Sequence, residues 1–257
     1  MKIKIFMLIF LIINFLNISQ AQTITQETKT YTKVAYAKNQ QDTIAIIKVE
    51  YPTIVSTSNP AIKEILEREI VKCFFEEENP SKDPFKHLEE TLQTWQTEMN
   101  QSNRTVQYYL YKTIRVENSL PNIINIYSYS EGYTGGAHGF SSFFAKNIDA
   151  QTGRKITLAD VFVEEFQEAT ALLKTAEKEF CDAQGISAQT NLAEYGYTGF
   201  SDGFVWSKNY LFKENGIYFE YNEYEIAAYV LGASQFLLPY HKIKKWLRSD
   251  AYLGNLK

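Results

Sequence analysis

The residue best equipped for chemistry is His138. It is one of three histidines in the chain, and it stands in Tyr133-Thr-Gly-Gly-Ala-His-Gly139. Gly135, Gly136 and Gly139 mark a backbone that needs left-handed φ or close approach by another group. An imidazole in such a place has three uses: it can hydrogen-bond the local backbone and fix the turn, contact a ligand, or move a proton. Proton transfer needs a companion group. No second histidine is near in sequence, and Asp149 and Asp160 are acids that the fold could bring to it. A second stretch, Tyr195-Gly-Tyr-Thr-Gly-Phe-Ser-Asp-Gly-Phe204, sets three glycines among four aromatic residues. Exposed, its rings would give contact area at low entropy cost. Turned inward, they would fill a core. The candidate binding residues are therefore Tyr133, Gly135, Gly136, His138, Tyr195, Tyr197 and Phe200.

Other chemistries lack their spacing. Gly139-Phe-Ser141 has no closing glycine for a nucleophile elbow, and Gly132-Tyr-Thr-Gly-Gly136 lacks the Lys-Ser/Thr end of a phosphate loop. Two cysteines, Cys73 and Cys181, and dispersed histidines make neither a zinc finger nor a redox pair. Glycosidase carboxylates remain open among 30 acidic residues, but no pair stands out. The expectation is a protein that binds without catalysing, with no cofactor and no metal. A glycan-binding module and an envelope hydrolase, the latter with His138 beside two carboxylates, are the alternatives.

These residues need a scaffold. Thr30 to Ala37 and Thr43 to Val49 alternate apolar and polar positions around the turn Asn39 to Asp42, a hairpin pattern. Asn59-Pro60 and Asp83-Pro84 each pair an N-cap with a first-turn proline. Ile62, Ile65, Leu66, Ile70, Cys73 and Phe74 give the first helix an apolar face, and Phe85, Leu88, Leu92, Trp95 and Met99 give the second a narrower seam. His87 falls off that seam and reads as a solvated residue. Arg104 to Glu117, Ile123 to Ser130 and Phe140 to Asp149 predict an antiparallel meander, with the glycine segment joining its last two strands. A third helix is expected from about Val163 to Gln184. Asn209 to Phe212 and Ile217 to Tyr221 form a hairpin around Asn-Gly, Tyr224 to Tyr229 and Gln235 to Leu238 are extended, and His241 to Leu247 closes the chain as a short helix. The fold class is α+β: a meander sheet packed by three longer helices and a short C-terminal one. The division is 22–117 and 118–257 after a leader of 1–21.

Lys2 and Lys4, an apolar run from Ile5 to Leu16 and the small residues Ser19 and Ala21 make up a secretory signal peptide, with cleavage after Ala21. The run is shorter than the ~20 residues a spanning helix needs. Export to the periplasm or medium is expected, without stable membrane insertion after cleavage. Removing the two lysines makes a formal charge of −4 more negative still. An acidic chain disfavours nucleic acid and anionic membranes and suits cationic partners. An oxidising compartment permits a Cys73–Cys181 bridge, and two buried free thiols fit equally well. The 18 Tyr and 17 Phe mean strands and core first, and a binding surface second.

Three segments resemble a known family. They are Tyr133–Gly139 followed by Asn147-Ile-Asp149 and Thr152-Gly-Arg-Lys-Ile-Thr-Leu-Ala-Asp-Val-Phe162; Phe219-Glu-Tyr-Asn-Glu-Tyr-Glu-Ile-Ala-Ala-Tyr-Val-Leu-Gly232; and Phe236-Leu-Leu-Pro-Tyr240. From about Tyr31 to Leu247 the chain is similar to the extracytoplasmic domain of RsiV-type anti-sigma factors. The same domain pair occurs in secreted and periplasmic proteins of unknown role, and its first half precedes some peptidoglycan deacetylases. The resemblance implies an α+β domain that binds, with lysozyme or another cationic protein, or peptidoglycan, as partner. The cytoplasmic and membrane segments of those factors have no counterpart here, which argues against an anti-sigma role. No contact residue of the family can be placed by motif.

Overall fold

Residues 23–38, 41–102, 106–163, 165–187, 191–248 and 252–253 are described in a computed structural model. The leader, Asn39 and Gln40 of the first turn, and Arg104 at the expected start of the third strand lie outside them. Five strands form the first sheet: β1 (Ile24–Tyr36), β2 (Thr43–Thr57), β3 (Tyr108–Leu120), β4 (Ile123–Tyr133) and β5 (Phe140–Asp149). They lie in sequence order, so this sheet crosses residue 117 without interruption. The meander β3–β4–β5 is antiparallel as its alternation requires, with Tyr109 opposite Tyr133 and Gly132 opposite Phe140. The β1–β2 hairpin joins it through a parallel pairing, Ala45 opposite Tyr108 to Glu50 opposite Thr113. A parallel contact needs a long crossover, and two helices supply it: α1 (Pro60–Phe75) and α2 (Pro84–Gln101).

Both helices start as their signals dictate. The Asn59 side chain accepts from Ala61 N at 3.2 Å, and Asp83 accepts from Lys86 N at 2.9 Å. Ile62, Leu66, Ile70 and Phe74 of α1 and Leu88 of α2 pack on Ile47, Val49, Ile114, Ile126 and Ile148 of the sheet. The second core is aromatic. The strands β6 (Asn209–Phe212), β7 (Gly216–Tyr221) and β8 (Ser234–Pro239) form a separate antiparallel sheet, covered by a helix at Thr170–Gln184. Between β5 and that helix lies the short α3 (Leu158–Val161), which makes the later one α4; α5 (Tyr240–Ile243) and a 3-10 turn close the fold.

Two expectations change, and one open alternative closes. The helix expected from Val163 starts at Thr170, because Val163 N donates to Trp246 O and Glu165 takes a φ of 61°, which breaks the helical run. Phe166 keeps the helical period but stacks on Phe162 instead, with centroids 5.0 Å apart. The stretch from Tyr224 to Tyr229 is a loop running into a 3-10 turn at Tyr229–Leu231, not a strand. Cys73 and Cys181 are buried free thiols. Among the described residues no helix is long and apolar enough to cross a membrane.

Ion pairs run through the first core. Lys146 on β5 is 2% exposed, and its Nζ lies 3.2 Å from Glu69 and 2.7 Å from Glu78. Lys112 on β3 reaches Glu76 at 2.8 Å and the Phe74 carbonyl at 2.6 Å. The buried Cys73 lies within the field of all four charged groups Lys146, Glu69, Lys112 and Glu76; burial pushes its thiol up to about 12.

Candidate functional site

The glycine connection between β4 and β5 is built as its composition demands. Gly135 and Gly136 have φ of 91° and 99°, values that L side chains rarely adopt. The Tyr133 hydroxyl donates to Gly136 O at 2.9 Å and clamps the loop from inside. His138 Nδ1 lies 2.7 Å from Gly139 O, the turn-fixing contact. Its other nitrogen, Nε2, lies 3.1 Å from the Tyr224 hydroxyl, and its ring stacks on Tyr229 with centroids 3.6 Å apart. The imidazole is thus one ring of an exposed His138–Tyr224–Tyr229 cluster, with both nitrogens on an oxygen partner. Asp149 and Asp160 are elsewhere: Asp149 closes the turn to Thr152, and Asp160 caps α3 through Thr157 N at 2.7 Å.

A Cβ at Gly136 would meet nothing within 4 Å. Gly136→Val should therefore cost only backbone strain, about 1–2 kcal/mol. His138→Ala removes exposed contacts and should cost less than about 1 kcal/mol. Thermal unfolding of the two variants checks this ordering. A neutral Gly136→Val would mean that the loop does not depend on its left-handed backbone.

The segment 222–232 carries two of the three rings, and it is sewn to the edge of β5. Asn222 accepts from Phe143 N at 2.7 Å and donates to Phe143 O at 3.0 Å. Glu223 accepts from Ser141 N at 3.1 Å and Ser141 Oγ at 2.7 Å. Side chains thereby satisfy an edge that would otherwise be open to pairing. On its other flank the segment holds the second glycine-aromatic loop. Gly199 N donates to Ile226 O at 2.9 Å, and a Cβ at Gly199 would stand 2.7 Å from the Ile226 Cα, so only glycine allows this approach.

The loop 195–204 itself divides. Tyr195 is 54% exposed, whereas Tyr197 and Phe200 are 4% and 6% exposed. Tyr197 and Phe200 are core residues and not part of a binding surface. Phe180 of α4 draws them in, with edge-to-face contacts at 5.1 Å and 5.2 Å. Sequence reasoning missed Glu223, Tyr224 and Tyr229, although their segment had stood out by resemblance; no histidine or glycine lies among residues 219–231 to flag them as a site.

The surrounding face is tyrosine-rich and acidic. Tyr111 and Tyr129 lie exposed on the outer side of the first sheet. Burial, then Glu131, Glu220 and Glu223, push the Tyr129 phenol above its usual range. Burial, then Glu223, Tyr224 and Tyr109, do the same at Tyr229. Among the described residues no group of three His, Cys, Asp or Glu is placed to hold a metal ion. His87 is half-buried against Phe75, with centroids 5.3 Å apart, rather than freely solvated.

Comparison with known proteins places both halves. Residues 37–141 match the family model described as Deacetylase PdaC, and residues 159–241 match that of a protein of unknown function, DUF3298. No curated protein matches. A crystal structure of a DUF3298 family member from Bacteroides fragilis is similar over 93% of this chain and 99% of that one, at 21% identity and a TM-score of 0.75. One from Pseudomonas aeruginosa is similar over 88% and 95%, at 16% identity and a TM-score of 0.60. The protein thus joins a stretch similar to the PdaC model to one similar to the DUF3298 model, in a fold shared with solved DUF3298-family structures.

Proposed function

We propose that this is an exported, non-catalytic binding protein of the cell envelope whose acidic tyrosine face docks a cationic protein, with lysozyme the candidate named by the sequence resemblance. The observation that carries the reading is Tyr224. At 63% it is the most exposed large aromatic residue among those described. Its φ of 66° is one that a bulky side chain holds at a cost of about 1–2 kcal/mol. Strain kept in order to present a ring to water points to contact with something else. Glu131 and Glu225 are exposed in the same region, and an ammonium or guanidinium over a phenol gains about 0.5–2 kcal/mol.

The glycan-module alternative loses two of its three loop rings, because Tyr197 and Phe200 are inside. The hydrolase alternative asked for His138 between carboxylates, and its nitrogens meet a carbonyl and a phenol instead. Deacetylation is the activity in the name of the model that residues 37–141 match. Amide hydrolysis needs an activated water or nucleophile, and this face offers phenols and hydrogen-bonded carboxylates, which suit recognition.

Calorimetry of the protein with several cationic lysozymes tests the proposal. Saturable heat is expected, with an association rate that falls as salt rises, as electrostatic steering requires. No heat with any of them, or binding abolished at moderate salt, would overturn it.

A further inference from the structure

A concave site lies where the two sheets meet, lined by Glu78, Phe144, Lys146, Lys155, Lys208 and Tyr210 with their neighbours, with a volume of about 390 Å³. That falls at the small end of ligand pockets, roughly 300–1,000 Å³. Asn147, Lys155 and Thr157 on its wall belong to the segments that stood out in the sequence and that the tyrosine face does not use.

Its charge is lopsided, and its one carboxylate is held in an unusual way. Lys146 Nζ lies 2.7 Å and Lys72 Nζ 3.8 Å from Glu78 Oε2, and Lys155 Nζ lies 3.4 Å from Glu78 Oε1. Three ammonium groups thus surround one carboxylate. Yet the Glu78 side chain is 55% exposed, and its residue sits on the irregular stretch after α1 rather than on a helix or strand. Lys146 would still hold Glu69 at 3.2 Å if Glu78 swung away, so the buried ammonium would not be orphaned. Lys208 lines the same space and has no ion pair among the described residues. Phe144 and Tyr210 add aromatic faces suited to the C–H face of a sugar ring.

We propose that this cavity binds a small carboxylated sugar, and that Glu78 is a tethered competitor for the position of its carboxylate. The ligand's carboxylate takes the place between Lys146, Lys155 and Lys72, Lys208 approaches from the rim, and the ring lies between Phe144 and Tyr210. The site is separate from the tyrosine face, so the two proposals stand or fall independently.

The test is calorimetry of the purified protein with glucuronate, glucose and inorganic phosphate. Glucuronate should bind and glucose should not. Glu78→Gln should tighten glucuronate binding by about tenfold, by removing an internal charged competitor. Lys155→Met, at an exposed side chain, should weaken it by a similar factor while leaving the melting temperature unchanged. Equal heats for glucuronate and glucose would overturn the proposal, as would a Glu78→Gln variant with unchanged or weaker affinity. Phosphate binding as tight as glucuronate, with the same response to Glu78→Gln, would overturn the sugar-acid assignment.

Discussion

Phe200→Ala should lower the unfolding free energy by about 3–5 kcal/mol, the cost of emptying a buried aromatic site. The ring is 6% exposed. It stacks on Phe204 with centroids 5.1 Å apart and meets Phe180 and Tyr221 edge-on at 5.2 Å and 5.6 Å. No neighbour can move in without leaving its own contacts, so little of the cavity should relax. Tyr195→Ala, five residues upstream on the same loop, removes an exposed ring and should change stability by less than about 0.5 kcal/mol. Urea unfolding of both variants makes the comparison. A small effect at Phe200 with a large loss of partner binding would return that ring to the surface.

Lys146→Met should cost about 1.5–3 kcal/mol, because a buried carboxylate loses a charge-assisted hydrogen bond while keeping Lys72 at 2.8 Å. Glu69 would lose one of its cations, and it is 6% exposed. The double variant Lys146→Met with Glu69→Leu should recover much of the loss, since an apolar pair of similar volume needs no compensating charge. The same cluster makes stability depend on acid. Burial alone would raise Glu69, but hydrogen bonds from Lys72 and Lys146 outweigh it and hold the carboxyl below its usual range. At Glu76, burial is likewise outweighed by Lys112, with Ser130 adding a hydrogen bond. A carboxyl whose folded pKa is depressed contributes stability that is fully present above its unfolded value, roughly 4.3. That contribution is lost as pH falls through the lower folded value. Urea midpoints between roughly pH 6 and pH 3 should therefore fall steeply in the parent protein and less steeply in Lys146→Met. A pH-independent midpoint would remove the cluster from the stability account.

Local signals placed most of the scaffold. The Asn59-Pro60 and Asp83-Pro84 starts hold to the residue, because capping and proline geometry are settled within one turn of chain. The meander and the Asn-Gly hairpin hold for the same reason. The parallel β2–β3 contact was not legible: parallel pairing is made by residues that are 63 apart in the chain, Ala45 and Tyr108, and no local pattern encodes it. The false helical start at Val163 has a related cause. Phe166 and Ala169 keep the helical period while packing on Phe162 and the closing segment, so the period reports burial and not the backbone.

The site was half legible. Glycines with obligatory left-handed φ announced the 133–139 connection, and His138 marked it. What that connection meets could not be read, because Tyr224 lies 86 residues further along the chain, and it and Tyr229 look like ordinary strand residues. Tyr197 and Phe200 illustrate the reverse error. Composition shows that a loop is rich in rings; only the position of Phe180 decides which of them turn inward.

The most direct test of the tyrosine face is the affinity of Tyr224→Asn for the cationic lysozyme that binds best. Asparagine tolerates the left-handed backbone at this position, and the lost side chain is exposed, so the variant should be at least as stable as the parent. Its affinity should nevertheless fall by about tenfold or more, the loss of a central aromatic contact of at least ~1.4 kcal/mol. An unchanged affinity in a fully folded Tyr224→Asn variant would contradict the account.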